Sequence, residues 1–125
     1  MKRIIFCLFF TLLSCYSLER NCLDFHEGNF NFTQIIDGEI KTSTFIRNTN
    51  YEIEIYEGKI DTASIRWVND CECILTKLNP TTNQDKRPIQ IKILSTTADS
   101  YIFEYSLVGD VKNKKRGTIK KLTDK

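Results

Sequence analysis

At 125 residues the chain has room for one modest core and no second domain. With 41% hydrophobic and 27% charged residues and only 2 prolines, it does not have the composition of a disordered chain. The formal charge of +2 comes from Lys2 and Arg3; setting them aside leaves as many basic residues as acidic. A neutral body has no global attraction for nucleic acid.

Met1-Lys2-Arg3 precedes an almost wholly apolar run, Ile4 to Leu13. A positive start and a short apolar core are the first two parts of a secretory signal. The run is too short for a spanning helix, which needs ~20 apolar residues. Leu12-Leu13-Ser14-Cys15 resembles the bacterial lipobox. The resemblance implies that residues 1–14 are a lipoprotein-type signal peptide, that cleavage falls before Cys15, and that the Cys15 sulfur carries a diacylglycerol. Ordinary cleavage after Ser17 is the alternative. Acyl chains on the sulfur together with one on the new N-terminus would anchor the chain stably. Tyr16-Ser17-Leu18-Glu19 contains no acidic cluster resembling a surface-export signal. The expected address is therefore the cell envelope, at the outer membrane facing the periplasm.

Residues 15–28 read as the lipidated cysteine, a tether and one or two turns of helix. Leu18, Cys22 and Phe25 fall at helical spacing, with Ser17 able to cap the start and Gly28 to end it. From Asn29 the period becomes two. Phe30, Phe32 and Ile36 lead into Asp37-Gly38, a strong hairpin signal. A Thr-rich strand, Ile40 to Arg47, is followed by a turn at Asn48-Thr49-Asn50. Tyr51, Ile53 and Ile55 alternate with Glu52 and Glu54, which predicts a half-buried strand with its acids in water. After Glu57-Gly58 come a strand with Ile65 and Trp67, a turn at Asn69-Asp70, and a strand from Cys71 to Leu78. Asn79 to Pro88 is a long polar loop. Ile89, Ile91 and Ile93 make one strand; Tyr101, Phe103, Tyr105 and Leu107 make the next. Gly109 to Gly117 is a lysine-bearing hairpin loop, and Thr118 to Leu122 a last short strand.

This pattern predicts an all-β domain over residues 29–125, an antiparallel up-and-down meander of about eight strands. Such a meander either closes into a lipocalin-like barrel or remains an open curved sheet or two-sheet sandwich.

Five cysteines are present. Cys7 lies in the leader and Cys15 is the lipidation site. Cys22, Cys71 and Cys73 remain, an odd number for an oxidising compartment. Cys71 and Cys73, two apart on one strand, would have Cα atoms ~6.5 Å apart and make poor partners. A Cys22–Cys71 disulfide, stapling the short helix to the sheet and contributing ~3–4 kcal/mol, is the better pairing. Three reduced, buried thiols are the alternative. A zinc site of Cys22, His26, Cys71 and Cys73 is a sharper but weaker reading, because it lacks the usual knuckle spacing.

No GxSxG elbow, HExxH or phosphate-binding loop occurs, so no catalytic residue, cofactor or metal is expected and the chain reads as a non-enzyme. Glu52 and Glu54 read as surface carboxylates. Lys112, Lys114, Lys115, Arg116, Lys120 and Lys121 form a basic patch, read first as lysines protecting an exposed edge strand and second as a contact for anionic head groups.

Cys22-x-x-Phe25-x-x-Gly28-x-Phe30, then Arg47 with Glu52 and Glu54, then Trp67-x-x-x-Cys71 resembles a family of small envelope proteins common in Bacteroidetes-type genomes. Some members carry a DNA topoisomerase IV subunit label; a short chain with an export signal and no net charge beyond its leader gives that label no support. The resemblance implies that Cys22 and Cys71 belong together, and it departs at Cys73. It carries no catalytic residues. The expectation is a lipid-anchored binding or accessory module, membrane-attached through its N-terminus, taking a small apolar ligand or an envelope protein and no nucleic acid. A structural or partner-binding subunit, or a thiol–disulfide protein using Cys22, Cys71 and Cys73, are the alternatives.

Overall fold

A computed structural model describes residues 20–123. The expected signal peptide, Cys7 and Cys15 lie outside the described residues. A 3-10 turn, Cys22–Phe25, precedes eight strands: β1 Gly28–Ile36, β2 Glu39–Arg47, β3 Tyr51–Tyr56, β4 Lys59–Asn69, β5 Glu72–Lys77, β6 Ile89–Thr96, β7 Ser100–Leu107 and β8 Lys115–Lys121. Each pairs antiparallel with the next, and β8 returns to β1 through Phe30↔Lys121, Asn31↔Lys120 and Phe32↔Ile119, closing the barrel. Of the geometries open to the meander, closure is the one adopted.

The tight turns follow from local chemistry. Asp37-Gly38 and Glu57-Gly58 take positive φ at both central residues, 52° and 79° in the first, 48° and 77° in the second. That handedness matches the twist of the flanking strands. At the β2–β3 turn, the Asn48 side chain accepts the backbone N–H groups of Asn50 and Tyr51 at 2.9 and 2.8 Å. Cys71 sits in the β4–β5 turn, where Asn69 Oδ1 accepts its N–H at 2.9 Å. It is thus not a strand neighbour of Cys73, as the sequence predicted.

The expected helix lies partly outside the described residues. Among the described residues only Cys22–Phe25 is helical, Ser17 and Leu18 lying outside them, and Asn21, at the cap position, makes no side-chain capping bond. A single turn has no cooperative helical stability of its own. Tertiary contacts hold it instead. Arg47 Nη1 donates to Phe25 O at 2.8 Å, Lys121 Nζ to Asp24 O at 2.6 Å, and Arg20 Nη1 to Ile93 O at 3.2 Å. Phe25 is wholly buried and meets Tyr101 edge-on, centroids 5.1 Å apart. The turn thereby plugs one end of the barrel, above Phe30, Cys73, Ile93 and Tyr101.

Two further corrections concern the last strand. β8 begins at Lys115, so Gly117 lies inside it; a Cβ there would come within 2.7 Å of the Phe32 ring and 2.9 Å of Phe103. Closure also gives β8 a partner on both sides. Lys120 and Lys121 thus lie on no exposed edge, whereas Lys115 and Arg116 pair with β7 alone. Glu104 pairs with Lys114 at 3.3 Å and with Arg116 at 3.6 Å.

Candidate binding cavity

The interior is built in two halves. The half beneath the plug is organised by Arg47, which is 2% exposed. Its guanidinium donates to Glu52 Oε1 from Nη2 at 2.8 Å and from Nε at 3.2 Å, to Tyr101 Oη at 3.1 Å, and to Phe25 O. Four aromatic rings surround Cζ, at 5.0 Å for Phe30, 5.2 Å for Phe45, 5.7 Å for Trp67 and 5.9 Å for Tyr101. Burial works against the charge, but the facing Tyr101 and Glu52 outweigh it and hold the guanidinium pKa above its usual value. Burial pushes the Tyr101 hydroxyl up to about 12, with Arg47 opposing. The guanidinium therefore stays a cation and the phenol neutral at physiological pH.

This pairing decides the face of β3. Arg47 stands directly opposite Glu52 across the β2–β3 ladder. An inward Arg47 needs an inward acid, because a lone buried charge is prohibitively costly. Side chains alternate with period two, so Glu54 and Tyr56 turn inward with Glu52, while Tyr51 and Ile55 turn out and are exposed. The sequence pattern, read as apolar residues in and acids out, assigned this strand the wrong face.

The other half of the barrel is open. A cavity of about 300 Å³ lies there, lined by Phe32, Phe45, Leu75, Ile89, Ile91, Phe103, Tyr105 and Ile119, with Gln34, Ser43, Lys41, Glu52, Glu54 and Tyr56 as its polar groups. An eight-stranded barrel is just wide enough to be filled or to hold one small molecule; here one half does each. A recess of about 90 Å³ shares Glu52, Glu54, Leu75 and Ile89 with the cavity and reaches Asp61, Lys77 and Arg87.

The charges of this half are unevenly matched. Lys41 Nζ is held by Glu57 at 3.0 Å and Glu39 at 3.3 Å, and these bonds raise its pKa. Lys77 Nζ is held by Asp85 at 3.3 Å. Glu54 has no hydrogen bond or ion pair among the described residues. Burial raises its pKa first, then repulsion from Glu52 and from Asp61, its cross-strand neighbour, with Lys77 opposing.

Cys22 and Cys71 form a disulfide, Cα atoms 5.2 Å apart, that ties the plug to the β4–β5 turn. The bond takes two of the four ligands that the zinc reading required. His26 is engaged elsewhere: its ring stacks on Trp67 at 3.6 Å between centroids, and Nε2 donates to Asp70 O at 2.7 Å. Cys73 is free but wholly buried in the sealed half. Burial pushes its thiol up to about 12, against the pull of Arg47.

The cavity carboxylates were placed on the surface by sequence reasoning. The available signal was Arg47 itself, a charge inside a strand with an acid five residues on, across a three-residue turn.

No helix among the described residues is long and apolar enough to cross a membrane. Comparison with protein-family models, curated proteins and solved structures finds no match to this chain.

Proposed function

We propose that this protein is a non-enzymatic binding module of the cell envelope that carries one small, largely apolar molecule in the open half of its barrel. The cavity of about 300 Å³ is the observation that supports this reading. It falls at the lower end of the range for small-molecule sites and has their character, an apolar wall with a few polar groups. Export and lipid anchoring through Cys15, at the outer membrane facing the periplasm, belong to the same proposal and rest on the signal-like leader and the lipobox resemblance.

The test is a fluorescence titration of the purified protein with N-phenyl-1-naphthylamine, a neutral apolar dye. Saturable binding of one dye per barrel is expected. Ser43 lines the cavity opposite Phe32, so Ser43→Phe should fill it and abolish binding without lowering the melting temperature. Binding unchanged in that variant would place the dye elsewhere and remove the proposal's basis.

A partner-binding subunit is the second reading, favoured by the outer wall. Ile35 and Ile40 face each other across β1–β2 at 77% and 74% exposure, and Ile60 faces Ile55 across β3–β4 at 69%. The thiol–disulfide reading has less support, since Cys73 is buried and its pKa is raised.

A further inference from the structure

We infer that the molecule held in the cavity is a cation with an apolar body, an organic amine or ammonium whose charged head is received by the Glu54 carboxylate. The inference rests on the ligand-binding reading above and adds the chemical class of the ligand.

Three observations carry it. The first is the state of the cations at this end. An anionic ligand, such as a fatty acid, would need a free positive charge in the cavity wall; Arg47 beneath the cavity is engaged by Glu52, Lys41 in its wall by Glu39 and Glu57, and Lys77 in its recess by Asp85. Arg87 Nη2 donates to Val108 O at 3.4 Å and reaches only the side recess. The second is the state of the acids. The charged groups near Glu54 are Glu52 on its own strand, Asp61 on β4 and Lys77 on β5. Glu52 is bound to Arg47, and Lys77, which acts on Glu54 only through space, is bound to Asp85, so Glu54 in the wall and Asp61 in the recess have no ion-pair partner among the described residues.

The third is where this carboxylate points. Glu54 stands opposite Phe45 across the β2–β3 ladder, and both line the cavity with Phe32, Phe103 and Tyr105. Phe32 and Phe103 meet edge-on at 5.4 Å, and Phe103 stacks with Tyr105 at 5.2 Å. Aromatic faces carry negative potential and attract cations as well as apolar groups. A site with aromatic faces and one unpaired carboxylate at its edge is matched to a positive head on a greasy body. Such a ligand restores to Glu54 the favourable environment that burial has removed.

The experiment is calorimetric titration of the native, disulfide-bonded protein at pH 7.5 with three ligands of equal tail length, octylamine, octanol and octanoate, repeated on Glu54→Gln. The amine is expected to bind at least tenfold more tightly than the alcohol, and octanoate most weakly. Glu54→Gln should bring amine and alcohol together by weakening the amine at least tenfold. Equal binding of amine and alcohol to the native protein, or preference for octanoate, would overturn the cationic assignment and leave the apolar cavity standing. No binding of any of the three, with the dye also failing, would overturn the binding-module reading itself. A matching near-ultraviolet circular dichroism spectrum for Glu54→Gln separates lost recognition from lost structure.

Discussion

Arg47 and Glu54 are two charges inside one small barrel with opposite energetic roles. Arg47 is satisfied by Glu52, Tyr101 and the Phe25 carbonyl, so removing it leaves Glu52 with an unpaired, largely desolvated charge. Arg47→Ala should destabilise the barrel by about 3–5 kcal/mol, read by urea unfolding. Replacing both partners, Arg47→Met with Glu52→Leu, should cost less than the single change, since apolar pairs often substitute for buried ion pairs. A double variant as unstable as Arg47→Ala would show that the hydrogen bond to the plug carries the effect. Glu54 works against stability. Its folded pKa is raised, so the unfolded chain, with Glu near 4.3, gives up its proton first as pH rises. Stability is lost between those two values and the full penalty applies above the folded one. Glu54→Gln should therefore melt higher than the parent at pH 7.5, and the two should coincide at pH 3.5 by scanning calorimetry. A parent that is the more stable at pH 7.5 would contradict the unpaired state of this carboxylate. A residue that lowers stability while lining a cavity is what a binding site leads one to expect.

At the scale of elements, most strands were legible because their period-two patterns agree with the side they bury. Ile89, Ile91 and Ile93, and Tyr101 and Phe103, face inward as their alternation predicts. The glycine turns were legible because their backbone demands few residue types. β3 was legible as a strand but not in its facing, because a buried ion pair outranked three apolar side chains. β8 was read short because its early residues, Lys115 and Arg116, are polar; pairing with β7 makes them strand, and both remain exposed. The short turn was legible only as a helical spacing of Leu18, Cys22 and Phe25, of which Leu18 lies outside the described residues; Cys22–Phe25 is held from outside by a disulfide and by side-chain bonds to the Asp24 and Phe25 carbonyls. The cavity was not legible at all. Its existence depends on how far side chains from seven strands reach, which no local pattern encodes.

At the scale of the molecule, the Cys22–Cys71 bond spans 49 residues and joins the plug to a turn halfway round the barrel. Closing a loop of that length in the unfolded chain is worth about 4 kcal/mol. Reduction, or Cys22→Ser with Cys71→Ser, should lower the melting temperature by on the order of 15 °C or more, checked by calorimetry with and without a phosphine reductant. A shift of only a few degrees would mean that Arg47 and Phe25 seat the plug unaided. The plug also gives the barrel a polarity. The chain enters at residue 20 beside Ile93 and Thr96, whereas Ile36, Lys41 and Tyr56 ring the far end, roughly 20–30 Å away along strands of this length. A molecule tethered upstream of residue 20 hangs from its sealed pole, like a cup suspended by its base. On the proposed anchoring and binding reading, a cargo would enter and leave on the side away from the attachment surface.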